Sequence, residues 1–382
     1  MIYFDNAATS YPKPPEVFEF MSKFMNEMGG NPGRSGHRMA TGAEAMIGEA
    51  RLALSKFFGV KQPERCVFTL NCTDALNMGI KGIVKRGDHV ITTALEHNSI
   101  SRPLQQMADD GFITLTRIVP AEPGCWHVEE IINAVTNKTR LVALTHCANA
   151  TGVINDVAGL GNSLREVSDN VTYLVDAAQS AGVVPLDMEA AQIDLLAFPG
   201  HKGLFAPTGT GALLIGPRVK DIGLWREGGT GGDSTSPHQP SELPYRLEGG
   251  TPNTMGIAGM LAGVRFLNKL GLGKVLEHER AIMKVLIDGL SSDARFKIYG
   301  TTELKRKVGA LSITIKDRDN AETAGILDQA FNVAVRPGLH CAPYAHKQLG
   351  TFPTGTLRLS PGYFNTVDEA DGVVKALHEI AS

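Results

Sequence analysis

Lys202 follows a short apolar run, Leu195-Leu196-Ala197-Phe198, and stands between His201 and Gly203. Upstream, a second apolar run, Tyr173-Leu174-Val175, ends in Asp176 and continues as Ala177-Ala178-Gln179. A lysine amine can form a Schiff base with an aldehyde cofactor, and a carboxylate can keep a ring nitrogen protonated so that the ring accepts electrons. An acid at one strand end and a lysine at a nearby one therefore point to pyridoxal 5'-phosphate.

Other residues bear on that chemistry. Thr69-Leu70-Asn71-Cys72-Thr73-Asp74 runs from a strand end into a helix start, where free N–H groups and the Thr73 hydroxyl make a phosphate cradle. Taken alone, Thr73 reads as a helix cap; beside Asp176 and Lys202 the phosphate role is preferred. His97, after Glu96 at another strand end, suits stacking on a flat cofactor and passing protons, against a purely structural histidine. Asn149, in His146-Cys147-Ala148-Asn149-Ala150-Thr151-Gly152, suits a hydrogen bond to a substrate carboxylate or a ring oxygen, against a turn residue. Arg358 lies in an apolar strand, Thr356 to Ser360, and needs an anion there, either a substrate carboxylate or a structural ion-pair partner. Cys341 sits in Arg336-Pro337-Gly338-Leu339-His340-Cys341-Ala342-Pro343-Tyr344. The Pro and Gly mark a loop, which argues against a buried, inert thiol, and Arg336 and His340 beside it favour thiolate.

These residues need elements that bring them together. Apolar runs at Cys66 to Thr69, His89 to Thr92, Leu141 to Leu144, Tyr173 to Val175, Ile193 to Leu196 and Gly211 to Ile215 read as strands. Most do not alternate with polar residues, which fits parallel strands buried on both faces. Helices such as Gly42 to Phe58 and Asp74 to Lys85 lie between them, so the fold class is α/β. Ligands of open sheets of this kind bind beyond the carboxyl ends of the strands. Thr73, Glu96-His97, His146 to Asn149, Asp176 to Gln179 and His201-Lys202 all follow such ends. Glu227 to Asn253 reads as a long irregular connection, of the kind that is functional or lies at an interface. It is followed by a helix at Gly256 to Leu270. Beyond it come strands at Ala310 to Ile315, Val333 to Val335 and Thr356 to Ser360, with helices at Ala321 to Phe331 and Val367 to Ile380. The expected division is a large cofactor-binding domain at 16–254 and a smaller α+β domain at 1–15 and 255–382 that carries the cysteine loop.

Bulk properties narrow the function classes. The chain has 382 residues and a net charge of −3, which gives no basic footprint for nucleic acid or for an anionic membrane. No apolar run approaches a membrane span, and the first residues lack a signal-peptide pattern, so a cytoplasmic location is expected. The five cysteines are odd in number and none are spaced C-x-x-C, which argues against a disulfide framework and a structural zinc site. The P-loop pattern, a full dinucleotide fingerprint, H-E-x-x-H and clustered metal-ligand spacing are all missing. No metal is expected.

Taken in order, these stretches resemble the cysteine desulfurase and selenocysteine lyase branch of the class-V aminotransferases. The likeness is carried by Tyr3-Phe4-Asp5-Asn6-Ala7-Ala8-Thr9, Asn31-Pro32 with Ser35-Gly36-His37, Glu96-His97, Asn149, and Val175-Asp176-Ala177-Ala178-Gln179-Ser180. It continues through Gly200-His201-Lys202, Glu248-Gly249-Gly250-Thr251-Pro252-Asn253-Thr254, Val335-Arg336 with Gly338, His340-Cys341-Ala342, and Arg358. It implies fold type I of the pyridoxal-phosphate transferases, with a mostly parallel central sheet in the large domain.

The resemblance also implies roles. Lys202 would form the Schiff base and move protons, Asp176 would pair with the ring nitrogen, and Gln179 with the ring hydroxyl. His97 would stack on the ring, Thr73 and His201 would hold the phosphate, and Cys72 would lie beside the cofactor. Gly250 and Thr251 would reach the phosphate of a neighbouring subunit, which implies a homodimer. Asn149 and Arg358, with Ala8 nearby, would bind the substrate. Cys341 would take sulfur from L-cysteine as a persulfide, leaving L-alanine, with L-selenocysteine as a second substrate. The short interval from Cys341 to Arg358 resembles the second group of these enzymes, which pass sulfur to a dedicated acceptor protein. Pro199 departs from the pattern: the family usually has serine or threonine there, whose hydroxyl binds phosphate, so this cradle loses a donor. The alternatives are a pyridoxal-phosphate lyase or aminotransferase for another small amino acid, with Cys341 incidental, and a non-enzymatic sulfur-relay or scaffold protein. The intact Lys202 and Asp176 speak against the second.

Overall fold

A computed structural model of the chain describes residues 1–33, 35–230 and 235–382. Seven strands form the main sheet. In spatial order they are Cys66–Thr69, Gly211–Ile215, Leu195–Pro199, Thr172–Asp176, Thr139–Thr145, His89–Thr93 and Thr114–Ile118. The last five pair in parallel, and Gly211–Ile215 runs antiparallel to both its neighbours. The sheet is thus mostly parallel with one reversed strand.

Both faces of this sheet are covered. Leu196 and Phe198 pack with the helices Pro15–Met28, Arg38–Phe57 and Thr254–Leu270, while Leu195 and Ala197 pack on the opposite side with Cys72–Ile83 and Asn98–Asp109. Alternate residues of a strand point to opposite faces, so a strand buried on both sides must be apolar throughout. That is the composition of Leu195–Pro199, whose five residues are all buried.

A second, antiparallel sheet has the order Arg336–Gly338, Thr356–Leu359, Leu311–Ile315, Phe296–Tyr299. Its apolar residues pack with helices Leu272–Ser291, Asn320–Phe331 and Val367–Ala381. The chain start joins this part: Ile2–Tyr3 pairs in parallel with Val333–Ala334, Phe4 is fully buried, and Asp5 bridges to Ser360.

Several strand expectations are corrected. The strand expected at Ile193 to Leu196 is Leu195–Pro199, because Asp194 is engaged ahead of it: its carboxylate accepts from Tyr173 N at 2.8 Å and Arg218 Nε at 2.9 Å. The strand expected at Val333 to Val335 is Val333–Ala334, and a separate strand, Arg336–Gly338, follows it in a different sheet. Thr114–Ile118, Leu272–Ser291 and Phe296–Tyr299 are additional elements. No helix among the described residues is long and apolar enough to cross a membrane.

Candidate active site

Cys66–Thr69, Leu195–Pro199, Thr172–Asp176, Thr139–Thr145 and His89–Thr93 share one direction, so their carboxyl ends meet at one edge of the sheet. A cavity of about 230 Å³ opens there. Its walls include Pro199 from the end of one strand with His201 and Lys202 just beyond it, Asp176 and Gln179 from the next, Asn149 from the third, and His97 from the fourth. Cys72 and Thr73 come from the helix after the outer strand, Ala8 from the N-terminal segment, and Arg336, His340 and Arg358 from the second sheet.

Asp176 forms the floor. It is 4% exposed, and its Oδ1 accepts from Ala178 N at 2.8 Å with Cys72 Sγ 3.6 Å away. Burial pushes its carboxyl up, opposed by the Ala178 N–H and the Lys202 charge. Burial likewise pushes the Lys202 amine down, opposed by Asp176, and the nearby Arg358 and Arg336 lower it further. An amine moved this way gives up its proton more readily, which a Schiff-base lysine requires. Among the described residues the Lys202 Nζ has no hydrogen-bond partner, whereas its carbonyl accepts from Ser10 Oγ at 2.9 Å.

Three groups suit an anion. The imidazole of His201 has a buried Nδ1 without a partner among the described residues, and burial together with the Lys202 and Lys13 charges pushes its pKa down to about 4. Thr73 does not cap its helix; Asn71 does, accepting from Asp74 N, and this leaves the Thr73 hydroxyl 2.7 Å from Ser99 Oγ. Arg336 and Arg358 are direct cross-strand neighbours, so both guanidinium groups lie on one face of the sheet. Like charges opposite each other are destabilising unless an anion lies between or beside them. Asp5 answers part of this, 3.0 Å from Arg358 Nη2, while Arg358 Nε is buried and has no partner among the described residues. Both readings of Arg358 thus have a place: it is in an ion pair, and one of its donors remains free for a second anion.

His97 begins the next helix, its Nδ1 accepting from Ser99 N at 3.1 Å, which leaves the proton on Nε2. Burial and the surrounding cations push its pKa down to about 4, so the ring is neutral at pH 7. Gln179 donates to the Ala7 carbonyl at 3.0 Å.

Cys341 is not part of the cavity wall. It lines an adjacent, more open crevice that shares Thr73, His97 and Ser99 with the cavity. The thiol is half-buried, and Arg336 Nη2 lies 3.4 Å from its sulfur. His340 does not assist as expected from its position in the chain. It is 2% exposed, its Nε2 lies 3.0 Å from Thr356 Oγ1, and burial with the Arg358 charge pushes its pKa down to about 2, so it brings no positive charge. His340 and Cys341 have φ of +48° and +59°, a left-handed turn of two non-glycine residues. Such backbone persists only where its surroundings impose it. Here Asn149 Nδ2 donates to the His340 carbonyl at 2.5 Å and Asn98 N to the Cys341 carbonyl at 2.8 Å. Asn149 therefore holds the cysteine turn, a job that spacing along the chain did not suggest.

Gly250 and Thr251 lie elsewhere, exposed in a crevice with Phe68, Thr69, Leu70 and Glu248, and the fold of one chain does not bring them to Lys202. From the sequence Arg336 is expected only as a neighbour of the thiol, yet it lines the cavity, and the chain order does not point to Asp5 as the ion-pair partner of Arg358. The register that sets Arg336 against Arg358 is the signal that identifies the first.

A free lysine amine, a buried carboxylate one strand away, an unpartnered imidazole and a flat neutral ring fit pyridoxal 5'-phosphate. The comparisons agree. The family model for class-V aminotransferases matches residues 2–373. This chain belongs to the class-V aminotransferases. Within that family it is 34% identical over 386 residues to a probable cysteine desulfurase of Methanothermobacter thermautotrophicus, covering 100% of this chain and 94% of the relative. A probable cysteine desulfurase of Pyrococcus abyssi is 33% identical over 387 residues with the same coverage. Among solved structures, the apo cysteine desulfurase of Thermococcus onnurineus superimposes with a TM-score of 0.93 at 33% identity, covering 100% of this chain and 94% of that one. A cysteine desulfurase of Escherichia coli in an S-sulfonic acid form superimposes with a TM-score of 0.88 at 25% identity, covering 99% and 94%. Class-V aminotransferases of this branch are pyridoxal-phosphate enzymes acting on cysteine, and the fold of this chain is fold type I of that class.

Proposed function

We propose that this class-V aminotransferase holds pyridoxal 5'-phosphate in the Lys202 cavity and desulfurates L-cysteine, with Cys341 receiving the sulfur. The observation that carries the proposal is the pairing of that cavity with a cationic, backbone-strained cysteine turn at its border. Lys202 anchors the cofactor, Asp176 holds the proton of its ring nitrogen, Gln179 meets its ring hydroxyl and His97 lies against the ring, with Cys72 and Ala8 beside them. Thr73 and His201 hold the phosphate on this subunit. Gly250 and Thr251, remote from Lys202 in one chain, serve the phosphate of a second subunit in a homodimer.

When bound, the cofactor supplies an electron sink for the substrate carbon. The chain's residues do the rest. The free Arg358 Nε, with Arg336 opposite, binds the substrate carboxylate. Asn149 orients the turn so that the Cys341 sulfur faces the substrate, and Arg336 favours its thiolate. Cys341 attacks the substrate sulfur: an S–S bond forms, the C–S bond breaks with its electron pair left on carbon, and a proton from Lys202 completes alanine. An acceptor protein or a reductant then takes the sulfur and regenerates the thiol. L-Selenocysteine is a second substrate of the same site. The division into 16–254 and 1–15 with 255–382 follows this split of labour, with the cofactor on the first part and the sulfur-receiving residue on the second; a cytoplasmic location suits a free thiol.

The test is turnover of L-cysteine with a reductant present, scored for alanine and sulfide in equal amounts. Release of pyruvate and ammonia, or a requirement for a keto acid, would instead favour a lyase or an aminotransferase.

A further inference from the structure

A second cluster of reactive side chains lies away from Lys202, in the loop after Thr114–Ile118. Its sequence, Glu122-Pro123-Gly124-Cys125-Trp126-His127, matches no standard metal pattern, and spacing along the chain predicts no metal there. The fold closes it into a cluster. Gly124, at φ +86°, turns the chain back, and Cys125 N donates to the Glu122 carbonyl at 3.2 Å. The donor atoms of Glu122, Cys125 and His127 then all lie within 4.8 Å of one another. His127 Nε2 is 3.2 Å from Glu122 Oε2. Bond lengths of roughly 2.0–2.3 Å to zinc put tetrahedral ligand atoms about 3.3–3.8 Å apart, so small rotations of the partly exposed Glu122 and His127 side chains complete a site.

One further observation points to a cation. Arg306 already places one there: its Nη2 is 3.1 Å from Glu122 Oε1 and 2.9 Å from Cys125 Sγ. Its side chain is 34% exposed and free to swing out. His146 lines the same crevice, 4% exposed, with its Nδ1 buried and without a partner among the described residues.

We propose that Glu122, Cys125 and His127 form a binding site for one zinc-type divalent cation, which displaces the Arg306 guanidinium and keeps an open position toward the crevice lined by His146. One thiolate, one imidazole and one carboxylate are a donor set that suits zinc over magnesium or calcium. Binding deprotonates Cys125 and releases that proton to solvent. The loop is tied to the active-site edge of the sheet. Trp126 N donates to Asn155 Oδ1 at 3.2 Å, Trp126 Nε1 donates to the Thr145 carbonyl at 3.3 Å, and His146 N donates to the Asp176 carbonyl at 3.0 Å. An ion here stiffens the support under Asp176 without touching the cavity.

The experiment titrates chelator-treated, cofactor-loaded protein with Zn²⁺ by calorimetry and with Co²⁺ by visible spectroscopy. The expected result is one ion per chain with a Kd of about 1 µM or tighter, with intense red d–d bands of tetrahedral cobalt, unchanged in Cys341→Ser. Cys125→Ser and His127→Gln each weaken it by about 100-fold or more, and Arg306→Met tightens it. Should Cys125→Ser fail to fold, His127→Gln reads the same claim at a partly exposed side chain. No stoichiometric ion, binding that survives both ligand substitutions, or binding lost in Cys341→Ser would overturn the proposal.

Discussion

The floor of the cavity and the turn at its border are built on opposite plans. Asp176, Lys202 and His97 stand at or just past the carboxyl ends of parallel strands of one sheet, are desolvated, and have charges pushed toward neutrality by burial. Cys341 sits half-buried on a strained turn of the second sheet, beside an arginine, held in place from the first sheet by Asn98 and Asn149. The floor gains its properties from burial, which a whole sheet enforces. The turn gains its properties from a few hydrogen bonds across the boundary between the two parts. The difference suits two tasks: binding a planar cofactor calls for a rigid, preorganised site, and handing sulfur onward calls for a residue near the surface.

The largest test of this contrast is Lys202→Ala, which should lower turnover with every amino-acid substrate by at least about 10³-fold and remove the visible absorbance of bound cofactor. Cys341→Ser should lower sulfide release from L-cysteine by about 10²-fold or more with that absorbance intact. If Cys341→Ser desulfurates at the parental rate, floor and turn do not share the work as described.

The desolvation of the floor is tested one layer behind it. Glu96 is fully buried, with one oxygen accepting from Thr93 Oγ1 at 2.6 Å, and burial pushes its pKa up to about 8, opposed by that hydrogen bond. A carboxyl raised on folding holds its proton where the unfolded chain has lost it. Its contribution to stability is therefore full below pH 4.5, falls as pH rises to about 8, and is flat beyond. Glu96→Gln should remove that decline and be the more stable protein above about pH 8, measured by denaturant unfolding across this range. An unchanged slope would mean that the floor is better solvated than its geometry indicates.

The smallest effect is expected at Pro199, which lines the cavity where a hydroxyl would donate to phosphate. Pro199→Ser should tighten cofactor retention by about 10-fold, read from dissociation on dialysis, with little change in the turnover of the loaded enzyme.

Much of the floor was legible in the sequence, because fully apolar strands announce burial on both faces and ligand residues follow their ends. Direction was not legible: Gly211–Ile215 is as apolar as its neighbours yet runs the other way. Thr114–Ile118 escaped because it is an edge strand with polar residues, and Asn71 rather than Thr73 caps its helix because both types suit that position. The turn was legible only in part. Pro and Gly marked a loop around Cys341, but the grip of Asn149 on His340, the pairing of Asp5 with Arg358 and the opposition of Arg336 to Arg358 all depend on sheet register. The Glu122, Cys125 and His127 cluster depends likewise on one left-handed glycine.

The central claim is that Cys341 receives the sulfur released in the Lys202 cavity. Mass spectrometry of the cofactor-loaded protein after brief exposure to L-cysteine, without reductant, tests it most directly. The account predicts one added sulfur, mapped to the peptide bearing Cys341 and missing in Lys202→Ala. Sulfur mapped to Cys72 or Cys125, or alanine formed with no added sulfur on the chain, would contradict it.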